Sequence, residues 1–214
     1  MAEPTTARRV LLASRNPKKL LEMRRILEGH LTQVTVLGLD DVAPYDEPAE
    51  TEPTFAGNAL FKAHAGVRAT GLPSVADDSG LCVDALNGMP GVLSARWAGP
   101  AKDDAANNTL LLQQLADVPD ARRGAHFTCA VAFVHPDGAG GLAEHVVHGE
   151  MPGRVAREPR GSGGFGYDVV FVPDGERDAR TTAELSVAEK DAISHRGKAI
   201  REIAPVVAEV LTRR

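Results

Sequence analysis

Apolar residues fall in short blocks along the chain, and the period inside each block separates strands from helices. Arg9-Val-Leu-Leu-Ala13 and Val34-Thr-Val-Leu-Gly38 are apolar runs of strand length, the pattern of strands buried in a sheet. Between them Leu20, Met23, Ile26 and Leu27 recur at helical spacing. Pro17 fits the first turn of that helix, and Ser14 or Asn16 can cap it. A helix rich in small residues is expected over 54–70. An amphipathic helix is expected from Asp103 to Leu115, with Asp103 as its cap. Ser74-Val-Ala76 reads as the end of a strand, Gly80 as a turn, and Leu81–Leu86 as a further strand. His126–Val134 and Leu142–His148 flank a Pro-Asp-Gly turn and predict a hairpin. Val169–Val172 predicts another strand, Ser186–Lys190 starts a short helix, and Ser194-His-Arg-Gly-Lys198 leads into a C-terminal helix. No repeat, low-complexity tract or linker interrupts the alternation. The expected class is α/β, a mixed central β-sheet flanked by helices, with two lobes around one cleft. Residues 1–214 are expected to form a single domain, with 1–8 as a flexible tail.

Composition narrows the function classes. The 214 residues are 43% hydrophobic and 25% charged, with a net charge of −5. That balance suits a soluble globular protein and argues against a general nucleic-acid binder, whose mark is a basic face. A locally basic pocket for one small polyanion stays open. Cys82 and Cys129 lie in apolar runs without a CxxC partner, so a reducing cytoplasm is the expected compartment. Met1–Arg9 lacks an apolar leader core, and no run approaches the roughly 20 apolar residues of a membrane span.

Four polar segments carry candidate chemistry. Ser14-Arg-Asn-Pro-Lys-Lys19 follows a strand and opens a helix. Free N–H groups and the dipole at such a place bind phosphate, and Lys18 and Lys19 add charge. A capped helix with two solvated lysines would look the same. Asp77 and Asp78 sit at the supposed strand end, where open α/β sheets hold ligands. Neighbouring strand residues face opposite ways, so one carboxylate can serve a ligand or metal while the other is held by a partner. A surface turn would use the same residues. Asp78 with a second acid, from the acidic loop between Asp40 and Pro53, suits a hard divalent cation such as Mg²⁺. Gly161-Ser-Gly-Gly-Phe-Gly-Tyr-Asp168 lets backbone approach a flat ligand, with Phe165 and Tyr167 as ring faces. His195 and Arg196 offer fixed donors to a carbonyl on a base. Each segment has a structural explanation, but the four together describe a nucleoside triphosphate with Mg²⁺.

At this point the chain resembles the inosine triphosphate pyrophosphatase family. The matching residues are Ala13–Lys19 with Glu22, Phe55-Ala-Gly-Asn-Ala59 with Lys62, and Ala76-Asp-Asp-Ser-Gly80. To these add Gly88–Arg96, Gly163-Gly-Phe-Gly-Tyr-Asp168, Ala183-Glu-Leu185, and Lys190 with Ser194-His-Arg-Gly197. The order holds from Val10 to Ile203. The resemblance implies an elongated α/β molecule with its active-site cleft between lobes, usually a homodimer. It implies that Ser14, Arg15, Asn16, Pro17, Lys18 and Lys19 hold the triphosphate, assisted by Lys62. Asp78 would bind Mg²⁺ and activate water, Glu50 would be the second metal-linked acid, and Ser79 would contact substrate. Phe165, Gly166, Tyr167, Asp168, Lys190, His195 and Arg196 would form the base pocket.

The implied reaction is Mg²⁺-dependent attack of water on the α-phosphorus of ITP, dITP or XTP, giving the nucleoside monophosphate and pyrophosphate. A pocket of donors accepts a 6-oxo group, while a 6-amino group would leave those donors unpaired. Two alternatives remain. One is a related pyrophosphatase for modified pyrimidine or methylated guanine nucleotides. The other is a nucleotide-binding module that does not hydrolyse. No nucleic-acid or membrane partner is expected.

Overall fold

A computed structural model of the protein describes residues 8–30 and 34–212. The expected tail therefore lies outside the described residues, apart from Arg8, which opens the first strand. The elements run β1 (Arg8–Leu12), α1 (Pro17–Glu28), β2 (Val34–Leu37), α2 (Phe55–Thr70), β3 (Ser74–Val83) and α3 (Asp104–Gln114). They continue with β4 (Gly124–Pro136), β5 (Leu142–Val155), β6 (Phe171–Pro173), α4 (Val187–Ile193) and α5 (His195–Thr212). The six strands form one sheet in the order β2-β1-β3-β4-β5-β6. β1 is parallel to both β2 and β3, and β6 is antiparallel to β5. The α/β class with a mixed sheet is what the alternation of apolar blocks predicted.

The chain divides into two compact units. One contains the described residues through Asp78, Ala130–Val147 and Ala199 onward; the other contains Ser79–Cys129 and His148–Lys198. Each has its own core. The first packs Leu11, Ala13 and Ala76 against Ala59, Ala63 and Val67 of α2. Small side chains on α2 let the helix lie close to the sheet, and Gly66 takes this furthest. A methyl group there would sit 2.8 Å from Ser74 Oγ and 3.0 Å from Leu11 Cδ2. The second core gathers Leu81, Val83, Leu111, Leu115, Phe127, Tyr167 and Phe171.

Three local expectations differ from the structure, one of them at Asp84–Leu86, a 3-10 turn where the strand expected over Leu81–Leu86 was to continue. Gly80 does not turn: Ser74–Val83 is one uninterrupted strand, and Asp77 and Asp78 lie in its middle rather than beyond its end. Ser79 and Gly80 have turn propensity, but strand propensity depends on the neighbours a segment meets. Here Leu11 and Leu12 pair with Ser74 and Val75, and Ser94 Oγ accepts from Leu81 N at 2.9 Å. Those partners hold both halves of the segment extended. Val169–Val172 also differs, since Asp168–Val170 forms a 3-10 turn and pairing begins only at Phe171.

Candidate active site

Alternation along β3 decides how its two carboxylates are used. Asp77 and Asp78 are both buried, 1% and 4% exposed, and as strand neighbours they face opposite ways. Asp77 meets α1, where Lys19 Nζ lies 3.0 Å from its Oδ2. Asp78 meets α2: Asn58 Nδ2 donates to its Oδ2 at 2.9 Å, and Lys62 Nζ is 3.9 Å from its Oδ1. Lys62 also donates to Glu50 Oε1 at 2.9 Å. Glu50 and Asp78 thus converge on a single cationic point. Lys19, Glu50, Lys62 and Asp78, far apart in sequence, are brought into one cluster.

The cluster shifts the titration of its members. Burial pushes the Asp78 carboxyl above its ordinary value; Lys62 and Lys19 oppose this, Glu50 adds to it, and the Asn58 hydrogen bond opposes it. Burial alone would lower the Lys62 pKa, but Asp77, Asp78 and Glu50 outweigh it and hold the ammonium charged. A carboxylate with a raised pKa beside fixed cations has the character of a proton acceptor near an anionic ligand. The carboxylate oxygens of Asp78 and Glu50 are hard donors that suit a hard divalent cation. Among the described residues no group of three His, Cys, Asp or Glu gathers as a complete protein cage. A cation held here would need further oxygens from ligand or water.

The first turn of α1 is used differently from the expectation of free N–H groups. Asn16 Oδ1 accepts from Lys18 N at 3.0 Å and from Lys19 N at 3.2 Å, with Pro17 in the first position. Those N–H groups are committed to the cap, because Asn is among the best side chains at that position. Ser14 Oγ accepts from Asn16 N at 3.4 Å and shapes the same turn. Arg15 turns to Glu47 at 2.9 Å and to the Tyr45 carbonyl at 3.1 Å. Lys18 is exposed.

The remaining expected residues lie in the second unit, around Phe165. Lys190 Nζ is 5.3 Å from the Phe165 ring centroid and Arg196 Cζ is 5.6 Å from it, both within cation–π range. Arg196 is 3% exposed, and its Nη2 donates to Ser79 Oγ at 2.8 Å. Asp168 organises this segment. Its carboxylate accepts from Phe165 N at 2.8 Å, Lys190 Nζ at 2.5 Å and Thr182 Oγ1 at 2.8 Å. Gly164 has a left-handed φ of +71°, and a Cβ there would run into the Asp168 carboxylate. That position requires glycine.

Tyr167 is placed otherwise than expected, and His195 is held against an aromatic neighbour. Tyr167 is not an open ring face: it is 4% exposed, packs in the core, and its hydroxyl donates to the Ser94 carbonyl at 2.9 Å. Its phenol supplies apolar area that the core buries, and Ser94 takes the one polar atom. His195 stacks on Phe127 at 4.8 Å with an interplanar angle of 8°. Phe165 is thus the less buried aromatic of the segment.

Sequence reasoning missed the residues that hold these groups in place. Asn58 grips Asp78 with its amide N–H and accepts from Glu52 N at 3.0 Å, tying the acidic loop to α2. Its signal was its place in Phe55-Ala-Gly-Asn-Ala59. Asp104 and Asn108 of α3 clasp Gly166, with Gly166 N donating to Asp104 Oδ2 and Asn108 Nδ2 donating to Gly166 O, each at 2.8 Å. No local pattern marks that pairing, which joins residues about sixty positions apart.

The Ham1 family pattern matches residues 10–206. The chain belongs to the Ham1 family. A dITP/XTP pyrophosphatase of Nocardia farcinica is 60% identical over 209 residues, covering 97% of this chain and 98% of the relative. A dITP/XTP pyrophosphatase of Mycobacterium tuberculosis is 59% identical over 205 residues, covering 95% and 97%. Among solved structures, a nucleoside-triphosphatase / dITP/XTP pyrophosphatase of Mycobacterium abscessus has a TM-score of 0.74 at 55% identity, covering 92% of this chain and 99% of that one. A HAM1 protein of Coxiella burnetii has a TM-score of 0.83 at 39% identity, covering 94% and 99%. The Ham1 fold agrees with the mixed six-stranded sheet described above.

Proposed function

We propose that this Ham1-family protein hydrolyses the non-standard purine nucleoside triphosphates ITP, dITP and XTP to the nucleoside monophosphate and pyrophosphate. The observation that carries the reading is the buried cluster of the first unit, where Asp78 meets Asn58 and Lys62, and Lys62 meets Glu50. In the second unit Ser79 accepts from Arg196 beside Phe165. Relatives about 60% identical over nearly their whole length, named dITP/XTP pyrophosphatases, support it.

Within this reading Lys19 and Lys62 draw and orient the polyphosphate, with Ser14, Arg15, Asn16, Pro17 and Lys18 shaping the same approach. Phosphoryl transfer asks chiefly for positioning and charge neutralisation, and Asp78 takes the proton of the attacking water. Burial raises its pKa, which makes it a stronger base than an ordinary carboxylate, while the neighbouring Lys62 and Lys19 favour its charged form. Asp78 and Glu50 would hold Mg²⁺, which when bound neutralises phosphate charge and polarises the reacting centre. On the base, Phe165 supplies a ring face while Lys190 and Arg196 donate to oxygens. A guanidinium only donates, so it favours a 6-oxo purine over adenine. Gly166, Asp168, Tyr167 and His195 shape the pocket around these groups. The same reading includes a homodimer working in the cytoplasm. Among the described residues no helix is long and apolar enough to cross a membrane.

The test is the release of pyrophosphate from ITP and from ATP with Mg²⁺, in the native protein and in Asp78→Asn. Native protein should release pyrophosphate from ITP far faster than from ATP. Asp78→Asn should lose about 10²- to 10⁴-fold in kcat, the range for a missing general base, while still binding nucleotide. A protein that binds ITP without turnover would instead be a nucleotide-binding module. Preference for a modified pyrimidine or methylated guanine nucleotide would move the substrate assignment.

A further inference from the structure

The second unit carries a cavity of about 270 Å³ that shares no residue with the groups assigned above. Its charged lining is Arg123, Arg154, Arg157 and Arg160, with Asp120 and Glu158 as the only acids. Four guanidinium groups against two carboxylates is a local excess of positive charge in a chain whose net charge is −5.

The arginines are unevenly satisfied. Arg157 is paired: its Nη2 lies 2.6 Å from Asp120 Oδ1, and its Nε donates to the same oxygen. Arg160 donates to the Ala179 carbonyl at 2.6 Å, with Glu184 at 3.9 Å from its Nε. Arg123 is only 2% exposed. It donates to the carbonyls of Val155, Leu115 and Ala156 at 2.9, 2.6 and 2.7 Å. Among the described residues no carboxylate lies within ion-pair distance of it. Burial and the neighbouring Arg157 both weigh against its charge, and Asp120 offsets them in part. Carbonyls satisfy the N–H groups of a buried cation without balancing its charge. Arg154 is exposed, and its side chain makes no hydrogen bond or ion pair among the described residues.

We propose that this cavity is a second anion site, taking a small phosphate-bearing molecule of the size of pyrophosphate. Three features point to that chemistry. Guanidinium groups match phosphate oxygens in a fork and keep their charge at any working pH. With Glu184 beside Arg160 also counted against the four guanidinium groups, one positive charge stays in excess, which calls for an anion. The volume lies at or below the small end of ligand cavities, too small for a whole nucleoside triphosphate. Val155 and Val172 give the lining an apolar portion, which raises the strength of a charge-assisted bond by excluding water.

The test is an amide-resolved NMR titration of the full chain without Mg²⁺, using inorganic pyrophosphate in one arm and IMP in the other. Saturable shifts at the amides of Ala156, Arg157 and Ala179 are expected. They should persist in Lys19→Ala, which weakens the polyphosphate residues of the first unit. They should weaken by at least about tenfold in apparent affinity in Arg154→Glu, the loss of one charge-assisted contact. Arg154 is exposed, so the substitution leaves the core untouched. Shifts with pyrophosphate alone identify a free diphosphate as the ligand, and shifts with IMP alone identify a nucleotide phosphate. No saturable shift with either ligand, or shifts that Arg154→Glu leaves unchanged, overturns the site. The readout does not depend on ITP turnover, so failure of the proposed activity would be seen separately.

Discussion

Asp78 is the residue whose environment matters most, and its environment makes a testable statement about pH. Burial raises its pKa, so it gains its proton at a pH above the ordinary carboxylate value of about 3.9. A base is useful only when unprotonated. The acid limb of kcat/KM should therefore lie above that value, with activity falling as pH drops through the raised pKa. Asn58 donates to the charged form and so holds the pKa down. Asn58→Leu should move the acid limb upward, measured as a pH profile of kcat/KM for ITP. A fall in activity with no movement of the limb would mean that Asn58 serves only the acidic loop. Arg196 makes a second statement, about selectivity. Arg196→Ala should lower kcat/KM for ITP and XTP by about 10- to 150-fold, the loss of one hydrogen bond from a charged group. The slow rate with ATP should barely change, and Arg196→Lys should recover part of the loss. An equal fall for ITP and ATP would assign Arg196 to the phosphates or to the fold.

Helix α2 shows how an element fixes the position of the side chains around Asp78. It carries Asn58 and Lys62 on a face that Ala59, Ala63 and Gly66 bring close to the sheet. Gly66→Ala would force a methyl group to 2.8 Å from Ser74 Oγ and 3.0 Å from Leu11 Cδ2. Overpacking of this kind costs about 1–3 kcal/mol, to be read in urea denaturation. A change within about 0.5 kcal/mol, the scatter of neutral surface substitutions, would show that the helix has room to shift. The helices and most strands were legible because period and caps are local: Asn16, Thr54, Asp103 and Ser186 all cap the helices that follow them. The continuity of β3 was not legible, because pairing with β1 and the Ser94 bond override the turn preference of Ser79-Gly80. The fate of Tyr167 was hidden for a similar reason. An aromatic in a glycine-rich segment looks like a ligand platform until the core that receives it is known.

For the whole molecule, a net charge of −5 argues against a general basic face, yet it hides two local concentrations of cations. One is the lysine and carboxylate cluster around Asp77 and Asp78; the other is the arginine cavity of the second unit. Average charge says nothing of either, because the residues of each come from separate stretches of chain. The motif residues themselves were legible in order from Val10 to Ile203, which is why the family could be recognised before the geometry was known. Of their supporting partners, Asn58 lay within a matching motif, while Asp104, Asn108 and Thr182 became visible only through contacts. The proposed reaction is defined by where water attacks the nucleotide. Hydrolysis of ITP in ¹⁸O-labelled water, with mass analysis of both products, reads this directly. Attack on the α-phosphorus puts one label in IMP and none in pyrophosphate, with no release of inorganic phosphate. Label in pyrophosphate, or products IDP and phosphate, would place the attack on another phosphorus and contradict that reaction.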